Sequence, residues 1–137
     1  MQAAVGRVQL TRLTQIVAER RRIAAEYAAR LADLEGVTAP VEPAWARSNW
    51  QSYCVELSAS FDQKVVMQKM LESGVSTRRG VMNAHLERPY EAEGKVASLP
   101  VSERAQLSGV ILPLIPSMTS TQVEQVCEAL AEALAVR

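Results

Sequence analysis

The residues best suited to chemistry in this 137-residue chain fall in one stretch, Thr77-Arg78-Arg79 followed by His85. Two guanidinium groups and a hydroxyl at the end of a strand make a site for phosphate or carboxylate, because arginine presents a fork of donors that matches such oxygens. The same pair also reads as an ordinary solvated surface. His85 is the sole histidine, with no cysteine near it, and a metal site normally needs several such ligands. Trp45 and Trp50 flank a loop, where they can either stack on a ring or cover a sheet edge. No glycine-rich phosphate loop, nucleophile elbow or cysteine–histidine pair at motif spacing is present. Residue types alone lead to an anion-friendly strand end and no further.

The elements that must position that stretch are legible from periodicity. Gln2 to about Leu34 reads as one long helix free of proline, with Val5, Val8, Leu13, Ile16, Val17, Ile23, Ala24, Tyr27, Leu31 and Leu34 forming a stripe at steps of mostly three and four. Arg12, Glu19, Arg20, Arg22, Glu26 and Arg30 occupy the other side, and Gly36 is placed to stop the helix in the left-handed region. At 1.5 Å per residue the rod is about 50 Å long, more than a domain of this size needs for its own core. Its first half therefore calls for a cover from outside.

Pro40 and Pro43 predict an irregular loop, and Asn49–Leu57 a strand with Tyr53, Val55 and Leu57 on its core face. Ser60 with Gln63 has the spacing of a capping box ahead of a helix whose stripe is Val65, Val66, Met70 and Leu71, ended by Gly74. Val75–Arg79 reads as a second strand, residues 80–100 as irregular, 101–108 as a short helix stopped by Gly109, and Val110–Leu114 as a third strand. Pro113 belongs at an edge or strand end. Thr119 with Gln122 forms another capping box before a closing helix, Ser120–Ala135, with Val123, Val126, Cys127, Leu130, Ala131 and Leu134 on its apolar face. The expected fold is α+β: the long helix over residues 1–35, then over 36–137 a small three-stranded, largely antiparallel sheet covered by helices.

Composition narrows the partners. Fifteen basic residues balance fifteen acidic ones, so no general field attracts nucleic acid or an anionic membrane. No apolar run reaches the ~18 residues of a membrane span, and the pattern at the start leads to the expectation of no signal peptide. A cytoplasmic protein is the expectation, with Cys54 and Cys127 as separate reduced thiols.

The whole pattern resembles the DegT-type (DegT/DnrJ/StrS) sugar-nucleotide aminotransferases, pyridoxal-phosphate enzymes that aminate keto-sugar nucleotides. Gln2, Ala3, Ala4, Gly6, Gln9, Leu10, Arg21, Arg22, Ala24, Tyr27 and Leu31 fill the places of that family's interdomain helix. The likeness continues through Trp50, Tyr53 and Val55, the string GVSTRRGVM from Gly74 with His85, and Pro89-Tyr90. It closes with LPVSER from Leu99 to Arg104, Leu112–Leu114 and Met118-Thr119. Single strings are weak, but their order and spacing cover nearly the whole chain. The arginine pair and the VM-x-x-H string are similar to the perosamine-synthase-like branch.

The resemblance implies the carboxy-terminal small domain of a fold-type I transferase. In such enzymes the cofactor lysine, the aspartate for the pyridine nitrogen and the phosphate-binding residues lie on a large amino-terminal domain, which this sequence does not contain. Lys64 and Lys69 lie on a predicted helix and Lys95 in a polar loop, none in a setting suited to Schiff-base chemistry. Accordingly no catalytic residue, no metal and no cofactor bound by this chain alone are expected. By the same resemblance Thr77, Arg78 or Arg79, His85 and Tyr90 become substrate-facing, toward the sugar nucleotide or the acidic amino donor. Three functional readings follow: a domain of a sugar aminotransferase, a separate subunit completing an enzyme encoded in pieces, or a non-catalytic remnant that self-associates or binds a ligand. The expected partners are a pyridoxal-phosphate-binding large domain, a nucleotide sugar as a weak ligand, and a second copy paired through the first helix.

Overall fold

The computed structural model describes residues 1–91 and 98–135. The expected long helix is two: α1 (Gln2–Thr11) and α2 (Leu13–Leu31). They part at Arg12, whose backbone lies at φ −96° and ψ −5° and whose N–H bonds the Gln9 carbonyl three residues back. The Thr11 hydroxyl donates to the Val8 carbonyl at 2.7 Å, the kind of side-chain bond that bends helices. α2 also ends three residues sooner than the apolar stripe suggests. Gly36 does adopt φ +83°, but in the turn beyond the helix, where any side chain would strike the Phe61 ring.

That turn leads into β1 (Val37–Thr38), a strand that the prolines of the loop concealed. With β2 (Tyr53–Leu57), β3 (Arg78–Arg79) and β4 (Gly109–Leu112) it forms a four-stranded antiparallel sheet in the order β1-β2-β4-β3. The α+β class and the antiparallel sheet agree with expectation, and the fourth strand is the addition. The strands expected at residues 49–57, 75–79 and 110–114 shorten to their paired centres, leaving Pro113 just past the end of β4.

One sheet face carries the core. Tyr53, Val55 and Leu57 from β2 and Val110 and Leu112 from β4 are buried against Ile23, Ala24, Tyr27 and Leu31 of α2. Val66 and Met70 of α3 (Gln63–Glu72) and the apolar face of α6 (Ser120–Ala135) complete it. Val65 and Leu71, expected in the α3 stripe, are half exposed instead. Among the described residues no polar or charged residue is buried. The Tyr27 hydroxyl donates to the Pro113 carbonyl at 2.7 Å, so a core phenol also ties α2 to the end of β4.

The caps follow local chemistry. Thr119 and Gln122 exchange the two bonds of a capping box ahead of α6. At α3 the cap is Asp62, not Ser60: its carboxylate accepts from the N–H groups of Lys64 and Val65. Gln63 is not bonded back to a cap; its amide donates to the carbonyls of Gln106 and Gly109 at 2.9 and 2.6 Å. Gly74, at φ +81°, closes α3 with paired bonds, Gly74 N–H to Leu71 and Val75 N–H to Met70. Trp50, expected in strand β2, stands before it at φ +48° with its ring 5.5 Å from that of Tyr53.

Candidate functional site

β3 is the edge strand that carries the arginines, and its pairing decides where they point. Arg78 is opposite Ile111 and Arg79 opposite Val110 in antiparallel register. Residues directly opposite share a face, and successive residues alternate faces. Val110 belongs to the core face, so Arg79 is on the side packed by α2, α3 and α6. Arg78 is on the opposite side, part of which α5 (Pro100–Ser108) covers near Gly109 and Glu56. The expected arginine pair is therefore split across the sheet.

Each arginine borders its own hollow. Arg79 and Thr77 edge a hollow of about 280 Å³ against α3, beside Gln63, Lys64 and Met67. The Thr77 hydroxyl oxygen is shielded there and has no partner among the described residues. Arg78 borders a larger hollow, about 520 Å³, floored by Ile111, Val81 and Pro113 to Ile115 with Gln51 and Ser52 at the rim. A guanidinium over an apolar floor suits a ligand with an anionic end and a ring or methyl-bearing body.

In the stretch read as irregular, residues 83 and 85 are tied to α5 (Pro100–Ser108), while residues 92–97 lie outside the described residues. Gly80 donates its N–H to the Gly109 carbonyl at 2.8 Å. A 3-10 turn, Ala84–Leu86, and a short helix α4, Arg88–Glu91, follow. Asn83 N–H donates to Gln106 Oε1 at 2.6 Å, and His85 Nε2 lies 3.1 Å from Glu103 Oε1. Glu103 also accepts from Leu99 N–H at 2.8 Å. The Leu99 bond first and the His85 contact second hold its carboxyl below the ordinary carboxylate range. Only 16% of the His85 side chain is exposed, so the ring is held on α5 rather than swinging in solvent. Tyr90 stands half exposed on α4.

Sequence reasoning passed over Glu103 and Gln106. The signal was present: Glu103 follows Leu99 by four residues, a reach suited to bonding the free N–H groups at a helix start. Close packing here demands glycine, since a Cβ on Gly109 would sit 2.6 Å from the Ala105 carbonyl oxygen and 3.2 Å from Cys54 Sγ.

Lys64 is exposed on α3, and Lys69 Nζ is 3.4 Å from the Ala133 carbonyl. Lys95 lies outside the described residues. Cys54 and Cys127 are free thiols on opposite sides of the sheet, and burial pushes the Cys127 thiol up to about 11. Trp45 covers nothing: it is 88% exposed. Among the described residues there is no group of histidine, cysteine or acidic side chains able to hold a metal, and no helix long and apolar enough to cross a membrane.

Comparison with known proteins places this arrangement. The chain is 34% identical over 135 residues to dTDP-4-dehydro-2,3,6-trideoxy-D-glucose 4-aminotransferase of Saccharopolyspora spinosa, covering 98% of this chain and 34% of that protein. The crystal structure of the aminotransferase TlmJ from Streptoalloteichus hindustanus superposes with a TM-score of 0.88 at 33% identity, over 97% of this chain and 35% of that one. DesV of S. venezuelae gives 0.88 at 29% identity, over 100% and 36%. The chain thus spans about a third of the length of the relatives it matches. Residues 1–131 match one family throughout, and with that match the chain belongs to the DegT/DnrJ/EryC1/StrS aminotransferase family.

Proposed function

We propose that this chain acts as the carboxy-terminal small domain of a pyridoxal-phosphate-dependent aminotransferase that aminates keto-sugar nucleotides for polysaccharide or cell-surface sugar synthesis, and that it is incomplete for catalysis alone. The observation that carries this reading is the family match over residues 1–131 in a chain that spans only a third of its relatives. The name of the Saccharopolyspora enzyme, a 4-aminotransferase of a dTDP-linked dehydro sugar, supports a nucleotide sugar as the substrate class.

The described residues do not fit pyridoxal phosphate by themselves. Neither Lys64 nor Lys69 lies in an enclosed pocket with an acid placed for the pyridine nitrogen. In this reading the lysine-bearing part comes from a large domain, and Thr77, Arg78, Arg79, His85 and Tyr90 are this domain's substrate-facing residues. Arg78 is at one hollow, Thr77 and Arg79 are at another on the opposite sheet face, and His85 and Tyr90 line neither. Arg78, above its apolar floor, is the better placed of the two arginines for a nucleotide's anionic portion. A second copy pairs with the first through α1, whose side chains are all uncovered.

Chemical-shift mapping with thymidine diphosphate tests these residues. With half of the site supplied, affinity should be millimolar, about −4 kcal/mol, and weakened by salt. Shifts should fall in residues 77–90; shifts confined to other surfaces remove this stretch from the site. Titration with pyridoxal phosphate should give no stoichiometric visible band, and a band lost on changing Lys64, Lys69 or Lys95 overturns the division of labour.

A further inference from the structure

We propose that Glu103 is the positioning residue for His85, fixing its ring so that Nδ1 is the nitrogen offered to ligand. The inference rests on the reading of His85 as substrate-facing and deepens it.

A carboxylate only accepts hydrogen bonds, so a ring nitrogen 3.1 Å from Glu103 Oε1 carries the proton. In the neutral ring that nitrogen is Nε2, and Nδ1 keeps its lone pair. Nδ1 can then accept from a sugar hydroxyl or take up a proton. Glu103 is held as a carboxylate by Leu99 N–H, so the acceptor role does not depend on His85 alone. Second contacts of this kind set both tautomer and orientation in histidine sites.

The support is built in two places. Glu103 and Gln106 are three apart on α5 and so share one face. They hold His85 and the Asn83 N–H respectively, two residues apart in the turn. α5 is itself fastened, because Gln63 bonds the carbonyls of Gln106 and Gly109. The neighbouring Arg104 is turned away to Glu56, at 3.4 Å, and does not compete for Glu103. Among the described side chains of the histidine's own segment the remaining charges are Glu87 and Arg88, both exposed.

His85 is the single histidine, so histidine labelled with 15N reports one ring. At a pH where the ring is neutral, the wild-type chain should show protonated Nε2, bare Nδ1 and an Nε2 proton that exchanges slowly with water. A proton on Nδ1, or Nε2 exchange as fast as in a free imidazole, overturns the proposal without any variant. In Glu103→Ala the slow proton should be lost, with amide signals outside residues 83–106 unmoved as the check on folding. Thymidine diphosphate should move the His85 Nδ1 signal in the wild type and lose that effect in Glu103→Ala, while residues 77–79 still respond. An equal His85 response in both chains sinks the role of Glu103 alone. A ligand that leaves residues 77–90 untouched sinks the substrate-facing reading together with the proposal.

Discussion

Arg21 of α2 grips both carboxylate oxygens of Glu42, 21 residues further on, at 2.7 and 2.9 Å. Ser48 joins the same cluster from two sides, its carbonyl accepting from Arg21 at 2.6 Å and its N–H donating to Glu42 at 2.8 Å. A proline-interrupted loop with no ladder of its own is thereby pinned to the helix. Bidentate pairing of this kind fixes geometry as well as contributing energy. It is what carries Trp45, between the two anchor points, outward on a fixed loop.

This cluster predicts an acid-sensitive loop. Arg21 first, then the Ser48 N–H, lower the Glu42 carboxyl from 4.5 to about 2. A carboxyl depressed by folding contributes stability that is complete above its unfolded value and disappears as pH falls through its folded one. Glu42→Gln should therefore lower the thermal midpoint at pH 7, with the gap to wild type closing between pH 4.5 and 2. Thermal melts across that range decide it, and a gap that stays constant with pH denies the ion pair its role.

The two core tyrosines should respond in opposite ways to loss of the hydroxyl. Their rings are 5.0 Å apart and both are fully buried. The Tyr27 hydroxyl has the Pro113 carbonyl, whereas the Tyr53 hydroxyl is buried without a partner among the described residues. Tyr27→Phe should cost about 0.5–1.5 kcal/mol, with more if the bared carbonyl stays dry. Tyr53→Phe should be neutral or stabilising, since it removes an unsatisfied polar atom. Burial raises both phenols, Tyr53 to about 12, so the stability they hold is full below pH 10 and lost as pH rises further. Urea unfolding of the two variants at pH 7 is the measurement; equal losses refute the distinction.

Gly109 sets how closely α5 approaches the sheet. Gly109→Ala puts a methyl group 2.6 Å from a backbone oxygen that cannot rotate away. The loss should be about 1–3 kcal/mol, as for other overpacked sites. Gly80→Ala, with 3.1 Å to the same oxygen, should cost less. Because α5 holds His85 and Asn83, the Gly109 variant should also shift the amide signals of residues 83–86. An unfolding midpoint equal to wild type refutes the close approach of α5 to the sheet as the reason for glycine here.

What the sequence made legible follows from how local each signal is. The Thr119–Gln122 box and the end of α3 at Gly74 lie within a turn of the residues that make them, and both appear as read. The alternation of Tyr53, Val55 and Leu57 likewise named the buried face of β2. Ser60 has the spacing of a box with Gln63, but Asp62 is nearer to the helix and Gln63 serves a carbonyl 46 residues away. β1 has two residues, ends two positions before Pro40, and exists only through its pairing with β2. The arginine split was readable in principle, since neighbours on a strand face opposite ways. The Glu103–His85 contact was not, because it spans a stretch with no periodicity.

The final prediction concerns α1, which has no buried residue. Val5, Val8, Leu10 and Leu13 are 58%, 62%, 67% and 50% exposed, while Ile16 and Val17, also expected on the open strip, are already partly covered. Ile16 borders a hollow with Pro116 and Ser117, so the bare section begins above that loop. Covering a valine or leucine side chain is worth about 1.5–3 kcal/mol, and four together favour finding a partner. On a 3.6-residue helix Val5 and Val8 fall on one side and Leu10 on another, so cover is needed from more than one direction. A large domain would supply one side and a second copy the other; in this chain alone the second copy is the available cover, giving a two-fold pair. The opposing tendency is fraying, since a ten-residue helix containing Gly6 is marginal when unsupported. Sedimentation equilibrium at micromolar concentration should report a dimer for the wild type and a monomer for Val8→Glu, Leu13→Glu. A monomeric wild type whose first dozen residues are cut readily by protease leaves fraying as the answer and removes the pair.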